Sequence, residues 1–164
     1  MIELERMTTE YVANEDRISL SANIKGGGTV RLWLTRRITD RLVPALCDAV
    51  KPKHQDPAYA EMIGEIAQQR AEQRHEPQEP VKPASPDQEW LVRKIDLGLA
   101  KGGASIIFSG PQNEQAGLAL DAELLRQWLS ILRRTYQGAE WPVTRWPASM
   151  QDAPTTKKPP KVLH

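Results

Sequence analysis

The sequence predicts an α+β fold: an antiparallel sheet of about five strands with two main helices on one face. Three observations predict it. Residues Ile18, Leu20, Ala22 and Ile24 alternate with Arg17, Ser19, Ser21 and Asn23, as in a strand with one wet face. Two stretches then switch from alternation to a fourfold helical period directly after a capping residue. Leu32-Trp33-Leu34-Thr35 leads into Ile38, Leu42, Ala45 and Leu46, and Leu118-Ala119-Leu120-Asp121 leads into Leu124, Trp128, Leu132 and Tyr136. Between them, residues 76–88 carry proline about every third position, which favours extended chain and opposes a paired strand.

Taken in order, Ile2, Leu4 and Met7 hint at an early strand, whereas Thr8-Thr9-Glu10 and Asn14-Glu15-Asp16 read as irregular chain. Lys25-Gly26-Gly27-Gly28 supplies the positive-φ residues of a hairpin turn, and Val30, Leu32 and Leu34 form the return strand. Thr35 caps the first helix. Pro44 inside it predicts a kink or break, because proline removes a donor and clashes with the carbonyl of Asp40. Asp56-Pro57 opens a second helix with a short apolar face of Tyr59, Met62, Ile63 and Ile66. After Ala67 this helix is polar all round, so its second half is expected to leave the domain body. Leu91, Arg93, Ile95, Leu97 and Leu99 mark one long strand from Trp90 to Ala100, followed by a Lys101-Gly102-Gly103 turn, a return strand Ser105–Ser109 and a third strand Gln115–Leu120. The last helix is capped by Asp121 and is expected to end at Gly138 in positive φ.

The element order is therefore β-β-α-(α)-β-β-β-α. Three features recur: Ile18/Leu20 and Ile95/Leu97, the two Lys-Gly-Gly turns, and the two capped helices. Their separations are 77, 76 and 86 residues. An internal duplication is one explanation, and chance recurrence of common strand–turn–helix chemistry is the other. The same order occurs in profilin-like and roadblock-type domains, a likeness of topology with no shared motif that transfers no function. The expected organisation is one domain over 1–147, with halves 15–75 and 89–138 joined by the linker 76–88, and a disordered tail over 148–164.

Composition narrows the function classes. The chain has 164 residues, a formal net charge of +1 and one cysteine, Cys47. A near-neutral balance gives no global pull toward nucleic acid or anionic membrane. One cysteine excludes an internal disulfide and, with His54, His75 and His164 scattered, argues against a zinc site. No apolar run reaches the roughly 20 residues of a membrane span. The N-terminal Met-Ile-Glu-Leu-Glu-Arg lacks a signal-peptide pattern, so a soluble cytoplasmic protein is expected.

No motif for catalysis emerges. Both glycine turns run from strand to strand, without the helix N-terminus that a phosphate loop requires. The expectation is no enzyme and no catalytic, cofactor or metal residues. Tryptophan supplies five of nine aromatics, and Trp33, Trp141 and Trp146 fall outside the clean core stripes. Tryptophan and arginine are enriched at binding hot spots. Trp33, Arg31, Arg37, Arg41, Trp141 and Trp146 are therefore the candidate interaction residues. The wet sheet face is expected to carry Arg17, Ser19, Arg31, Trp33, Lys94 and Asp96. Trp141 and Trp146 have a second explanation: they fold back over the sheet edge or helix end and pin the tail.

The function expected from the sequence is a non-catalytic protein–protein interaction or assembly module with an unidentified protein partner, self-associating as a homodimer, with an exposed edge strand free to pair. The alternative is a nucleic-acid accessory protein using Arg36, Arg37, Arg41, Arg133, Arg134 and the tail lysines Lys157, Lys158 and Lys161. The sparse positive charge weighs against it.

Overall fold

In a computed structural model, which describes residues 1–100 and 102–151, the chain is an α+β protein built on a seven-stranded mixed sheet. The strands are β1 (Ile2–Val12), β2 (Arg17–Ile24), β3 (Thr29–Leu34), β4 (Gln88–Leu91), β5 (Lys94–Ala100), β6 (Gly103–Ser109) and β7 (Gln115–Asp121). The helices are α1 (Arg36–Val50), α2 (Pro57–Arg74), α3 (Ala122–Gly138) and the short α4 (Ala148–Gln151). The sheet order is β4-β3-β2-β1-β7-β6-β5.

The five-stranded, purely antiparallel sheet is thus corrected in two places, at its centre, where β1 lies, and at one end, where β4 lies. Ile2–Val12 is a full strand, paired with β2 from Leu4↔Ile24 to Val12↔Arg17 across a register shift between Leu4 and Met7. Its polar residues obscured it, because a strand with neither face wholly in the core shows no clean alternation. The long strand expected from Trp90 to Ala100 is two strands. Gln88–Leu91 pairs in parallel with β3, and Lys94–Ala100 pairs antiparallel with β6. The switch occurs across one peptide link: the Val92 N–H donates to Trp33 O at 2.9 Å and the Arg93 N–H to Ser109 O at 2.8 Å. Both ends of the sheet therefore meet on one bent stretch of chain, and the sheet curls around its apolar face.

That face carries Ile18, Leu20, Val30, Leu32, Leu34, Ile106, Phe108, Ala116 and Leu118, all buried against α1 and α3. Leu42, Val43 and Leu46 of α1 and Leu125, Leu129 and Leu132 of α3 complete the core. Each such leucine contributes roughly 1.5–3 kcal/mol by leaving water. The α3 stripe lies one position from that expected at its start: Leu125 is fully buried and Leu124 is 47% exposed.

Three local expectations meet the structure differently. The Gly26, Gly27 and Gly28 turn has φ of 94°, 125° and 94°, as the hairpin requires. Helix α1 runs on through Pro44 without ending. At the end of α3 the left-handed residue is Glu140 (φ 60°), whereas Gly138 belongs to the helix. The N–H of Trp141 closes onto Tyr136 O at 2.9 Å and that of Glu140 onto Gln137 O at 3.1 Å, a Schellman pattern with Trp141 packed on Tyr136.

The two halves share the order strand–strand–strand–helix, β1-β2-β3-α1 and β5-β6-β7-α3. The last strand of each half pairs in parallel with the chain that begins the other half, β3 with β4 and β7 with the start of β1. The recurring Lys-Gly-Gly segments do not fall at matching junctions. Lys25–Gly28 joins β2 to β3, whereas Gly102 lies between β5 and β6.

Helix α2 inverts its expected burial. Tyr59, Met62 and Ile66 are exposed by 44%, 48% and 44%, while Gln68 and Ala71 in the polar second half are buried. That half docks on α3 through hydrogen bonds: Gln68 Nε2 to Arg126 O at 2.9 Å, Gln127 Nε2 to Ala71 O at 3.0 Å and Ser130 Oγ to Glu72 Oε1 at 2.9 Å.

Candidate functional site

Across β1–β3 the sheet surface expected to be wet is roofed by the proline-rich segment, while Lys94 and Asp96 on β5 are exposed as expected. The Val81 N–H donates to Thr8 Oγ1 at 2.7 Å, Lys82 pairs with Glu10 at 3.3 Å, and Arg31 Nη2 donates to Pro83 O at 2.7 Å. Thr8 lies opposite Ser21 and Glu10 opposite Ser19 in the sheet, so this strap crosses both serines. Ser19 and Ser21 are 4% and 3% exposed, and Val81 is buried. Short side chains at 19 and 21 leave room for a backbone to lie close.

Arg31 and Trp33 hold the strand that follows the strap. Trp33 Nε1 donates to Glu89 Oε2 at 2.8 Å, and Arg31 Nη1 approaches the same oxygen at 3.4 Å. Both side chains are half-buried clamps on β4. Trp141 and Trp146 are buried, at 8% and 2% exposure. They stand edge-on to Tyr136 with ring centroids 5.1 and 4.9 Å away, and Trp141 also meets Tyr11 at 5.3 Å. Trp146 Nε1 donates to Leu129 O at 3.1 Å. The structure thus gathers these two tryptophans around Tyr136 and places Trp33 with Arg31 at β4.

The arginines divide similarly. Arg37 and Arg41 are exposed on α1 and form no ion pair among the described residues. Arg36 reaches Asp40 at 3.6 Å and lies 5.9 Å from the Trp141 ring, and Arg145 also approaches Asp40, at 3.8 Å. The Tyr136 hydroxyl donates to Asp40 at 2.7 Å, tying α3 to α1. Arg133 is buried against Glu72 and Gln151 O. Lys157, Lys158 and Lys161, with the rest of 152–164, lie outside the described residues. Among the described residues no group of three or more His, Cys, Asp or Glu side chains could hold a metal ion, and no helix is long and apolar enough to cross a membrane.

Cys47 is buried, and loss of water pushes its thiol up to about 12, with neighbouring Asp48 adding to the effect. Burial and the bond to Asp40 raise the Tyr136 hydroxyl as well. Both groups keep in the folded state a proton that the unfolded chain gives up at its ordinary value, 9.0 for the thiol and 10.0 for the phenol. Their contribution is fully present below pH 9 and is lost as pH rises from 9 through about 12, because the unfolded state then binds fewer protons. The urea midpoint is expected to fall between about pH 8 and pH 10.5. Cys47→Ala should flatten that fall, and a thiol reagent at pH 8 should react only after unfolding. A midpoint independent of pH over this range would contradict the burial of both groups.

A concave feature also lies beside β1, and sequence reasoning missed it. Strand β1 pairs with β7 only through Ile2↔Ala116 and Glu3↔Gly117. From Glu5 to Val12 its second edge meets no strand among the described residues. In an antiparallel pair alternate residues turn their N–H and C=O away from the partner, so this stretch offers a row of backbone groups on its open side. Beside it runs the C-terminal half of α3. Thr9, Glu10 and Tyr11 from the strand and Ile131, Arg134, Thr135 and Gly138 from the helix line a shallow groove of about 430 Å³. Inward-facing Thr9 and Tyr11 and outward-facing Glu10 all reach it, so it follows the strand edge.

The groove walls have definite chemistry. Thr9 Oγ1 accepts from Trp128 Nε1 at 3.1 Å and Thr135 Oγ1 donates to Ile131 O at 2.8 Å, so both hydroxyls are engaged internally. The Tyr11 hydroxyl is bonded to Asp16 at 2.7 Å. Half-buried Ile131 is an apolar wall, and exposed Arg134 is a cation with no ion pair among the described residues. The arrangement can accept an extended chain by backbone pairing, with an apolar side chain on Ile131 and an acidic one on Arg134. Comparison with protein-family models, with curated proteins and with solved structures finds no match.

Proposed function

We propose that this protein is a non-catalytic interaction module that captures an extended segment of a partner protein along the open edge of β1. The observation that carries this reading is the groove itself, an unpaired strand edge flanked by a helix. Backbone pairing supplies affinity there with little demand on the guest sequence, and Ile131 and Arg134 supply the preference. The guest is an extended segment with an apolar residue followed or preceded by an acidic one.

The nucleic-acid reading is the weaker of the two. It loses Arg133 to a buried bond and Arg36 to Asp40, leaving separated cations instead of a continuous basic stripe.

The test is selection of displayed random peptides on the folded protein, followed by NMR titration of the winners. Selected peptides should carry an apolar and an acidic residue, shift the amides of Thr9–Tyr11 and Ile131–Gly138, and bind about tenfold more weakly to Arg134→Glu. No selectable peptide, or winners that perturb only other surfaces, would remove the proposal.

A further inference from the structure

We infer that the free edge of β5 is a self-association surface, where a second copy of this chain adds its own β5 antiparallel about a two-fold axis. Strand β5 ends the sheet order and, among the described residues, pairs only with β6, so alternate residues of Lys94–Ala100 direct backbone N–H and C=O groups outward.

Proteins usually blunt such edges with charge, proline, a bulge or extreme shortness. The opposite sheet end, β4, uses several of these devices. It is four residues long, follows Pro86 and carries Glu89, which Arg31 and Trp33 hold. In β5 the only charges, Lys94 and Asp96, sit at the start of the strand and pair with each other at 3.3 Å. From Leu97 to Ala100 no blunting residue appears, and Leu99 is 70% exposed.

The two halves of the fold make that exposure informative. Leu34 precedes the cap Thr35 and lies opposite Ile18, which lies opposite Tyr11. Leu120 precedes the cap Asp121 and lies opposite Ala104, which lies opposite Leu99. Leu99 thus occupies in the second half the place that Tyr11 occupies in the first. Tyr11 is covered by Trp141, contributed by the chain that follows α3. After α1 the chain passes instead into α2, which docks on α3, and Leu99 is left bare.

The charge pattern selects a second copy as the occupant. Antiparallel pairing about Gly98 sets Leu97 of each copy opposite Leu99 of the other, twice over. It carries each Lys94 and Asp96 to opposite ends of the joint, with no like charges face to face. A strongly charged guest would find nothing to read across Leu97–Ala100.

Sedimentation equilibrium of the full chain from about 1 to 500 μM, with hydrogen exchange read at Lys94–Ala100, tests this. A dimer is expected, with outward β5 amides slowing as concentration rises. Leu99→Lys should raise the dimer dissociation constant by about tenfold or more. Its thermal melt at low concentration should match the parent, because Leu99 makes few contacts within the monomer. Monomer throughout the range overturns the inference. So does a dimer whose dissociation constant and β5 exchange are unchanged by Leu99→Lys.

Discussion

Trp146→Ala is expected to destabilise the fold by about 3–5 kcal/mol, the range for deleting a large buried aromatic. For a domain of this size that lowers the melting temperature by about 10 °C or more. The indole is 2% exposed, donates to Leu129 O and stands edge-on to Tyr136 at 4.9 Å. Its loss opens a void between α3 and the chain that folds back over it. Tyr136 lies between that void and Trp141, and its hydroxyl holds Asp40 on α1, so the damage passes from the tail segment to the helix pair. A chain ended after Gly138 would lose both tryptophans and should be less stable still. Such a truncation cannot separate a binding tail from a folded body, because Trp141 and Trp146 belong to the core. Urea unfolding followed by circular dichroism measures the effect. A loss under about 1 kcal/mol would mean that this segment is an appendage.

The parts of the fold legible in the sequence were those where a single periodicity meets a single environment. The β2–β3 hairpin and the two capped helices each bury one face and solvate the other, so alternation and fourfold spacing located them. What escaped were elements whose burial is polar or shared. Thr8, Thr9, Glu10 and Tyr11 face the strap, the groove or the aromatic cluster in turn, and no alternation survives three different neighbours. The second half of α2 is held by Gln68, Glu72 and backbone carbonyls, so its sequence resembles a solvated helix while its Ala71 and Gln68 are buried. Residues 88 and 89 belong to a strand by pairing with β3 across 58 residues, a relation no local window carries. In the sequence Trp33, Trp141 and Trp146 stand out as interaction candidates because they lie outside the core stripes. Two of them pack as core and the third clamps β4, whereas the groove is built from residues with unremarkable local patterns.

The polar docking of α2 leads to the second large effect. Arg126→Ala is expected to cost about 3 kcal/mol, from unpaired buried carbonyls plus lost packing. Arg126 is 8% exposed, and burial lowers its pKa because the charged form has lost water. Among the described residues no carboxylate pairs with it. Its guanidinium donates to Val50 O at 2.6 Å, the last residue of α1, and to Gly64 O at 3.3 Å, and lies 3.5 Å from Gln68 Oε1. One side chain therefore satisfies an orphan carbonyl at the end of α1 and fixes α2 across α3. Arg126→Lys keeps the charge but loses the planar fork that spans Val50 and Gly64, so it should recover only part of the loss. Arg126→Met refills volume and removes the desolvated charge while leaving both carbonyls bare, and should fall between alanine and the parent. Because α2 buries little apolar surface, its amides should lose exchange protection before those of α1 or α3 in every variant. Uniform loss across the three helices, or an alanine variant within about 1 kcal/mol of the parent, would show that α2 is held by something other than this polar seam.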